Sequence, residues 1–389
     1  MNGTVEQAQA VVLFEERVAI NGKRIGIATL NTPRTLNGLS LEMARLLDTQ
    51  FAAWADDDDL AMVVLQGAGE KAFCAGGDLH GLYRGMRDYQ ASGSGDIRDN
   101  VQARQFFEAE YRLDYRIHTY PKPILCWGHG IVMGGGIGLM AGASHRVVSE
   151  RSKLAFPEVT VGLYPDVGGS WLLHRVPDRA GLFLALTGAP LNAGDAIHAG
   201  LADHFIAEAT REEVLAALYV ADWSADADAN RHRLTTLLQG FARNAAVGPL
   251  QQHRELIASV CVHDDLDAIV SAIAELDNHD PWLQNAKTTL AGGSPGSVRL
   301  GFELQQRAAT LSLADTFRLE YTASLHCAAH GDFAEGIRAL LIDKDRNPRW
   351  NPPTLDEATP AWAENFFIAP CSAQAHPLAD LGASTETFA

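Results

Sequence analysis

The amino-acid sequence predicts an α/β fold with a helical C-terminal region, and three observations support this prediction. Short apolar runs in the first half of the chain alternate with segments of helical periodicity. Two of these runs, residues 61–66 and 124–127, are predicted buried strands that each lead into a glycine-rich turn. Beyond Ala209 the strand patterns fade and helical patterns take over. Strands that alternate with helices are typical of layered α/β proteins.

The first predicted element is a β-hairpin. Val11 to Val18 and Arg24 to Leu30 have the composition of strands, and Asn21-Gly22 between them supplies the positive φ angles of a tight turn. A helix is predicted from Ser40 to Ala55, with the Ser40 side chain as its N-terminal cap.

A polar loop and a long helix follow. Residues 91–100 are small and polar, which predicts a mobile loop that can cover a site. Residues 101–120 have helical periodicity. One stripe of this helix carries Phe106, Glu110, Leu113 and Ile117. Glu110 stands where an apolar residue is expected, and from periodicity alone we interpret the helix as rotated so that this acid reaches solvent.

The second half of the chain is predicted to be helical. The predicted helices are Glu212 to Val220, Arg231 to Phe241, Asp264 to Leu276, Ser297 to Ala308, and Ala314 to Ala329. We place a domain boundary loosely between Asp222 and Pro249. The division adopted is a core at residues 1–235, which contains the site, and a helical region at residues 236–389.

Composition and charge exclude several classes of function. The net charge of -17 argues against nucleic acid as a partner and against a polybasic contact with anionic membranes. No apolar run reaches membrane-spanning length, and residues 1–8 lack the pattern of a secretion or transit signal. The dispersed cysteines favour buried thiols over disulfides or a zinc site. They are Cys74, Cys126, Cys261, Cys327 and Cys371. We therefore expect a cytoplasmic protein.

Two acids, Glu158 and Asp166, lie in a segment from Leu154 to Leu173 that is otherwise free of charge. Because this segment mixes β-branched and aromatic residues with Gly and Pro, its carboxylates are predicted to face a desolvated hollow. Desolvation raises a carboxyl pKa, which makes the side chain a useful base, acid or nucleophile. The alternative is that Glu158 caps the turn after Pro157 and Asp166 caps a helix near Gly168. The segment alone does not decide between the two.

Glycine-rich turns at residues 73–78 and 133–138 each follow a strand. Residues without side chains let a ligand approach the backbone, and the N–H groups of such turns point outward as donors. Two converging donors form an oxyanion hole. Tight packing of helix on strand explains a run of glycines equally well.

Other motifs carry less weight. Gly136 to Ala141 matches a dinucleotide fingerprint, but more than a hundred residues precede it, so we regard the match as fortuitous. His129 and His145 flank the second glycine turn without metal-ligand spacing, and no Gly-x-Ser-x-Gly elbow is present. The sequence therefore predicts neither a metal site nor a serine nucleophile.

Three motifs together resemble the crotonase superfamily and, within it, the 3-hydroxyisobutyryl-CoA hydrolases. They are Lys71 to Asp78, His129 to Gly136, and Phe156 to Gly169. The likeness extends from Leu30-Asn-Thr-Pro-Arg34 to Glu335 through Asp345 and Pro348-Arg-Trp350. The resemblance implies ββα units wound into a spiral, with a helical C-terminal region that the shorter hydratases lack.

The resemblance also implies roles for individual residues. The Gly77 and Gly135 amides would hold a thioester carbonyl oxygen, Glu158 would act on its carbon, and Asp166 and Glu110 would bind the acyl 3-hydroxyl. For Glu110 this implication replaces the solvent-facing interpretation. The hydratases carry a second glutamate two residues after the triglycine turn, where this chain has Gly138.

Arg34 is a possible cation for the phosphates of coenzyme A, and its alternative is an exposed loop arginine without a role. Coenzyme A is part of the expected substrate, so neither a separate cofactor nor a metal is expected.

The predicted function is hydrolysis of a short-chain 3-hydroxyacyl-CoA, as in valine breakdown. A hydratase or isomerase is the alternative, and it needs another acid in place of the one absent at Gly138. A noncatalytic acyl-CoA binder gives no reason to bury Glu158. Crotonase relatives are commonly trimers or hexamers, so a homo-oligomer is a further expectation.

Overall fold

Two sheets form the first half of the chain in the computed structural model, which describes residues 10–277 and 279–383. The strands are β1 Val12–Val18, β2 Arg24–Leu30, β3 Leu60–Gly67, β4 Ala72–Cys74, β5 Ile124–Gly128, β6 Ile131–Met133, β7 His145–Val148, β8 Lys153–Ala155 and β9 His204–Phe205. The larger sheet has the order β1-β2-β3-β5-β7-β9, and the smaller one has the order β4-β6-β8. Only β1 runs antiparallel to its neighbour; the other pairs in both sheets are parallel.

Successive strands alternate between the two sheets, which produces a spiral. β3, β5 and β7 belong to the larger sheet, and the strand that follows each of them belongs to the smaller one. A helix follows each such strand pair before the chain returns to the larger sheet. The predicted ββα spiral is therefore confirmed. Its consequence is that the ends of β4 and β6, which carry the two glycine-rich turns, lie next to each other.

Helices cover the sheets and form the second half of the chain. They are α1 Leu41–Ala55, α2 Leu79–Ser92, α3 Val101–His118, α4 Gly135–Ala141, α5 Gly169–His174, α6 Ala180–Thr187, α7 Ala193–His198, α8 Arg211–Val220, α9 Ala227–Phe241, α10 Pro249–Gln252, α11 Arg254–Val260, α12 Leu266–Ala274, α13 Pro281–Gly292, α14 Pro295–Ala308, α15 Leu313–His330, α16 Phe333–Ile337 and α17 Pro360–Glu364. A π-helix at Arg338–Ile342 continues α16. In the described part of the chain, none of these helices combines the length and apolar character needed to cross a bilayer.

Local signals set the first elements as predicted. Val18 pairs with Arg24 across the hairpin, and Gly22 in its turn has a φ of 88°. The Ser40 hydroxyl accepts a hydrogen bond from Met43 N, so it caps α1. Both predictions are confirmed.

The central strand β3 is buried on both faces. Val63 and Leu65 belong to the main core, whereas Met62 and Val64 pack with α8 and α9 on the other face of the sheet. Side chains alternate between faces along a strand, so a strand covered on both sides is a continuous apolar run. This explains why the sequence shows no polar alternation here.

Three predictions need correction or comment. Residues 91–100 are not a loop over the site, because α2 extends to Ser92, Ile97 is buried in a short 3₁₀ turn, and the segment does not line the cleft described below. The polar composition reflects the end of α2 and the caps of the next helix.

The division at residue 235 stays a prediction; that position lies inside α9. Residues 1–8, on which the targeting prediction depends, lie outside the described residues.

Asn37 connects the loop after β2 to the first glycine-rich turn. It is fully buried, and its φ of 55° lies in the left-handed region that Asn tolerates better than most residues. Its side-chain oxygen accepts from Thr32 N at 3.0 Å, and its amide donates to Ala68 O at 2.9 Å and Ala72 O at 3.0 Å. Asn37 thus fixes the loop that carries Arg34 against the strand that leads to Gly77.

Replacement of Asn37 by Ala is expected to lower the free energy of unfolding by about 3 kcal/mol, because it leaves buried backbone groups without partners. Urea denaturation measures the change. Asn31→Ala is the control, since the Asn31 amide bonds only Ala10 O at an exposed position and its loss is expected to cost at most about 0.5 kcal/mol. Equal losses in the two variants would contradict the role assigned to Asn37.

Candidate active site

A cleft of about 880 Å³ opens where the two glycine-rich turns meet. Every residue that the sequence singled out for the site lines it: Arg34, Gly77, Glu110, Gly135, Glu158 and Asp166. Apolar side chains supply much of the remaining wall, among them Phe106, Phe107, Met133, Phe333, Leu340 and Leu341. Phe333 belongs to α16, and Leu340 and Leu341 belong to the π-helix that continues it. The helical region therefore completes the cleft.

The two glycine corners present a pair of free N–H donors. Leu39 N donates to Gly76 O and Asp78 N donates to Leu39 O, so the Gly77 N–H between them has no backbone acceptor among the described residues. Gly135 is the first residue of α4, where an N–H has no partner within the helix. A Cβ placed on Gly135 would lie 3.5 Å from Gly77 N. The backbones of the two corners are therefore adjacent, which is the arrangement that a two-donor oxyanion site requires.

Glycine is required at these corners because acids face them. A Cβ on Gly134, whose φ is 48°, would lie 2.7 Å from Oε1 of Glu158. A Cβ on Gly135 would collide with the Glu110 carboxylate. A side chain at either position would therefore displace a carboxyl group from the cleft wall.

Glu158 is buried at the cleft wall, with 6 % of its surface exposed. It begins a 3₁₀ turn after Pro157, and no side-chain bond caps that turn, so the capping alternative for Glu158 is wrong. Its Oε2 has no hydrogen-bond partner among the described residues. Burial, and then the charge of Asp166, raise its pKa well above the usual value. When ionised, this carboxylate is a stronger base than an exposed glutamate.

Asp166 is buried and oriented by a tyrosine. Tyr111 donates its hydroxyl hydrogen to Oδ2 of Asp166 at 2.7 Å. Burial raises the pKa of Asp166 to about 6, and the Tyr111 hydrogen bond opposes that rise. Asp166 is thus the acid of the cleft that ionises near neutral pH. The next residue, Val167, has a φ of 56°, which is strained for a β-branched residue and indicates that the surrounding packing determines this turn.

The Asp166 side chain does not cap α5, so that alternative is wrong. Gly168 N, just before the helix, and Ser170 N donate to the Glu320 carboxylate at 2.7 and 3.0 Å, whereas Gly169 N donates to the backbone oxygen of Asp166 at 2.7 Å. Glu320 lies on α15, and burial is the main cause that raises its pKa to about 8. An acid from the C-terminal region therefore performs the capping that the sequence analysis considered for Asp166.

Glu110 is buried, with 2 % of its surface exposed. The interpretation of a helix rotated toward solvent is wrong, because this face of α3 packs against α4: a Cβ on Gly135 would collide with Oε1 of Glu110. Burial, and then the charges of Asp166, Asp114 and Glu158, raise the pKa of Glu110 well above its usual value. Glu110 therefore faces the cleft as a proton-holding acid.

Arg34 lies at the mouth of the cleft in a 3₁₀ turn, Pro33–Thr35. Its side chain is exposed, and no ion pair to it is found within the described residues. Its cation is thus available to a ligand. Among the residues described, no group of three or more His, Cys, Asp or Glu side chains is arranged to hold a metal ion.

The sequence analysis missed Tyr111, Asp114 and Glu320. Helical spacing was a usable signal for Asp114, because it follows Glu110 by four residues and lies on the same stripe of α3. Tyr111 and Glu320 gave no local signal, since their partners lie far away in the chain. Asp166 is 55 residues from Tyr111, and Gly168 is 152 residues from Glu320.

The two-sheet spiral and the cleft with paired N–H donors define a protein with the crotonase fold. Residues 25–367 match the model of the enoyl-CoA hydratase/isomerase family. The chain belongs to this family.

Relatives and a solved structure cover almost the whole chain. It is 37% identical over 363 residues to 3-hydroxyisobutyryl-CoA hydrolase, mitochondrial, from Danio rerio, which covers 93% of this chain and 90% of that protein. It is 36% identical over 347 residues to the protein of the same name from Gallus gallus, with 88% and 86% covered. A crystal structure of an enoyl-CoA hydratase from Rhodobacter sphaeroides 2.4.1 has a TM-score of 0.79 and 33% identity, with 92% of this chain and 97% of that chain covered.

Tyr111→Phe is expected to raise the pKa of Asp166 from about 6 by on the order of one unit, because the hydrogen bond that favours the charged form is lost. Carbon-13 NMR of protein labelled at the aspartate side-chain carboxyl measures the titration, with Asp166→Asn to assign the signal. Tyr164→Phe is the control: the Tyr164 hydroxyl bonds Ser324 and Glu320 O without contacting Asp166. A shift of equal size in the control would contradict a specific effect of Tyr111.

Proposed function

We propose that this protein hydrolyses the thioester of a short-chain 3-hydroxyacyl-CoA, of the 3-hydroxyisobutyryl-CoA type, to the free acid and CoA. The observation that carries the proposal is the Oε2 atom of Glu158, which is buried with no hydrogen-bond partner in the described part of the chain and lies on the wall of the same cleft as the paired N–H donors. The relatives named 3-hydroxyisobutyryl-CoA hydrolase support the same activity.

The chemistry assigned to the site is acyl transfer to water. The N–H groups of Gly77 and Gly135 hold the carbonyl oxygen and stabilise the negative charge that develops on it. Glu158 attacks the carbonyl carbon to give a mixed anhydride, or removes a proton from a water molecule that attacks. The carbon–sulfur bond breaks, and the CoA thiolate leaves and takes a proton. In the anhydride route a second step with water releases the acid and restores Glu158.

The remaining site residues bind the substrate. Asp166 and Glu110 are assigned to the 3-hydroxyl, since both carboxyl groups line the cleft beside the reacting carbon position. Arg34 at the mouth is assigned to the CoA phosphates. The apolar wall suits the pantetheine arm and a short acyl group. Because CoA belongs to the substrate, the proposal includes neither a separate cofactor nor a metal.

A hydratase or isomerase is the second candidate, favoured by the similarity to the enoyl-CoA hydratase structure and by Glu158. Hydration needs a pair of acids that hold water and deliver a proton at the cleft. This chain has Gly138 in the position of the second hydratase glutamate. A Cβ there would lie 2.6 Å from Oδ2 of Asp114 and 2.8 Å from Cβ of Val167, so other side chains fill that space. We therefore prefer hydrolysis.

The biological setting is a further part of the proposal. A 3-hydroxyisobutyryl thioester would place the enzyme in valine breakdown. The names of the relatives include mitochondrial, whereas the sequence analysis predicts the cytoplasm, and the compartment of this chain stays a prediction. A homo-oligomer, trimer or hexamer, also stays a prediction; sedimentation equilibrium measures the mass.

Incubation with 3-hydroxyisobutyryl-CoA, 3-hydroxypropionyl-CoA and crotonyl-CoA separates the candidate functions. Free thiol is followed with a thiol-reactive chromophore, and the enoyl thioester is followed by its ultraviolet absorbance. Thiol release from the hydroxyacyl substrates is the expected result. Loss of enoyl absorbance from crotonyl-CoA without thiol release would select the hydratase, and binding without either signal would select a noncatalytic protein.

Glu158→Gln is expected to lower kcat for thiol release by at least about a hundredfold, because Gln can neither attack nor accept a proton. Binding of CoA, measured by calorimetry, is expected to persist. Glu42→Gln is the matched control: Glu42 also lines the cleft but has an exposed side chain, and its variant is expected to keep its rate. Full activity of the Glu158 variant would end the proposed mechanism.

A further inference from the structure

Asp114 is a buried carboxyl group that the proposed mechanism does not use. It follows Glu110 by four residues on α3, so both side chains project from the same face of the helix. It is fully buried, and neither carboxyl oxygen has a hydrogen-bond partner among the described residues. Its Oδ2 lies 2.6 Å from the position that a Cβ on Gly138 would take. Asp114 therefore lies directly behind α4, the helix that begins with Gly135.

A structural role does not explain an acid at this position. Two other buried acids of the chain have backbone partners: Glu320 accepts from Gly168 N and Ser170 N, and Asp195 accepts from Leu250 N and Gln251 N, each at 3.1 Å. An unpaired buried carboxyl group costs stability. Asn would fill nearly the same volume as Asp114 without the cost of a buried charge.

The titratable groups that face Asp114 supply no positive charge at neutral pH. They come from α3, β4, the turn before α5, and α15: Glu110, His118, Cys74, Asp166 and Glu320. Burial, and then the charge of Arg146, lower the pKa of His118 to about 4, so its imidazole is neutral. Burial, and then the charges of Asp166 and Glu320, raise the pKa of Asp114 well above its usual value. Asp114 and its acidic neighbours thus compete for protons.

We propose that Asp114 is a positioning residue of this site: from behind Gly138 it competes with Glu110 for protons, and so sets the pH at which Glu110 becomes ionised. This inference rests on the proposed hydrolysis. Asp114 does not line the cleft, so it acts through its neighbours and does not contact the substrate.

The electrostatic consequence follows from proximity. When Asp114 ionises, its charge raises the pKa of Glu110. When it holds a proton, the cluster carries one negative charge fewer, and Glu110 ionises more readily. The alkaline limb of the rate profile, where Glu110 loses its proton, then depends on Asp114 as well as on Glu110.

The test compares pH profiles of kcat/KM for thiol release from a 3-hydroxyacyl-CoA. Asp114→Asn and Asp114→Leu both remove the titrating group, and the two differ in polarity. The midpoint of the alkaline limb, at which Glu110 loses its proton, is expected at lower pH by about one unit in both variants, because a competing negative charge is gone. The melting temperature of the Asp114→Asn variant is expected to equal or exceed that of the wild type. Asp195→Asn, a buried acid away from the cleft, is the control and is expected to keep the wild-type midpoint.

Each outcome has one meaning. An unchanged midpoint in both Asp114 variants, with active wild type and control, overturns the role of Asp114 and leaves the proposed hydrolysis intact. Absence of thiol release from the wild type overturns the proposed function itself. An equal shift in the Asp195 variant shows a general effect of lost buried charge and also overturns the inference.

A measurement on the wild type covers the case in which neither variant folds. In protein labelled with carbon-13 at the aspartate carboxyl, the Asp114 signal is expected to titrate in two steps, one of them in parallel with Asp166. An Asp114 signal that keeps the chemical shift of a protonated acid from about pH 5 to 9 overturns the proposal.

Discussion

The burial of several carboxyl groups around one cleft, without a basic partner, is the constraint on which the rest of the site depends. Glu110, Asp114, Glu158, Asp166 and Glu320 are all at least nine-tenths buried, and burial is the leading cause that raises each pKa. Such groups cannot all ionise together, because the charged forms would be neither solvated nor paired. The cluster must therefore hold protons at neutral pH. Acid–base and acyl-transfer chemistry uses carboxyl groups of this kind, which have a raised pKa and lie beside a cleft.

The C-terminal helical region is what keeps this cluster away from water. Helix α15 supplies Glu320 to the start of α5 and packs Phe317 against Tyr111. The Ser324 hydroxyl bonds both Tyr111 and Tyr164 at 2.8 Å. Through Tyr111 this helix is connected to Asp166, so the region fixes the orientation of a cleft acid as well as its burial. Without this helix the Tyr111 face of α3 would lose its cover, and the hydroxyl that orients Asp166 would lose its Ser324 partner.

The sequence predicted most of what depends on short-range signals. The Asn21-Gly22 turn, the Ser40 cap and the two glycine corners each have a local physical cause, and the structure has them where the sequence placed them. The prediction failed where a distant segment decides the outcome. The periodicity of α3 cannot show that α4 packs on the Glu110 face, and nothing near Gly168 shows that its N–H will donate to Glu320. Residues 91–100 failed for a different reason, since small polar residues suit helix ends and caps as well as loops.

The same constraint bears on the choice between hydrolysis and hydration. A hydratase-type glutamate at position 138 would add one more carboxyl group to a cluster that already lacks a compensating cation, and it would collide with Asp114 and Val167. The cost of desolvating that charge and the lack of space both oppose it. With glycine at 138, Glu158 is the acid of the hydratase pair that remains, and its raised pKa makes its carboxylate a strong base in the cleft of the paired N–H donors. A base and an oxyanion site are sufficient for thioester cleavage. Hydratase-type addition of water across a carbon–carbon double bond also uses an acid at the place of Gly138, so the packing around Gly138 itself favours the hydrolase.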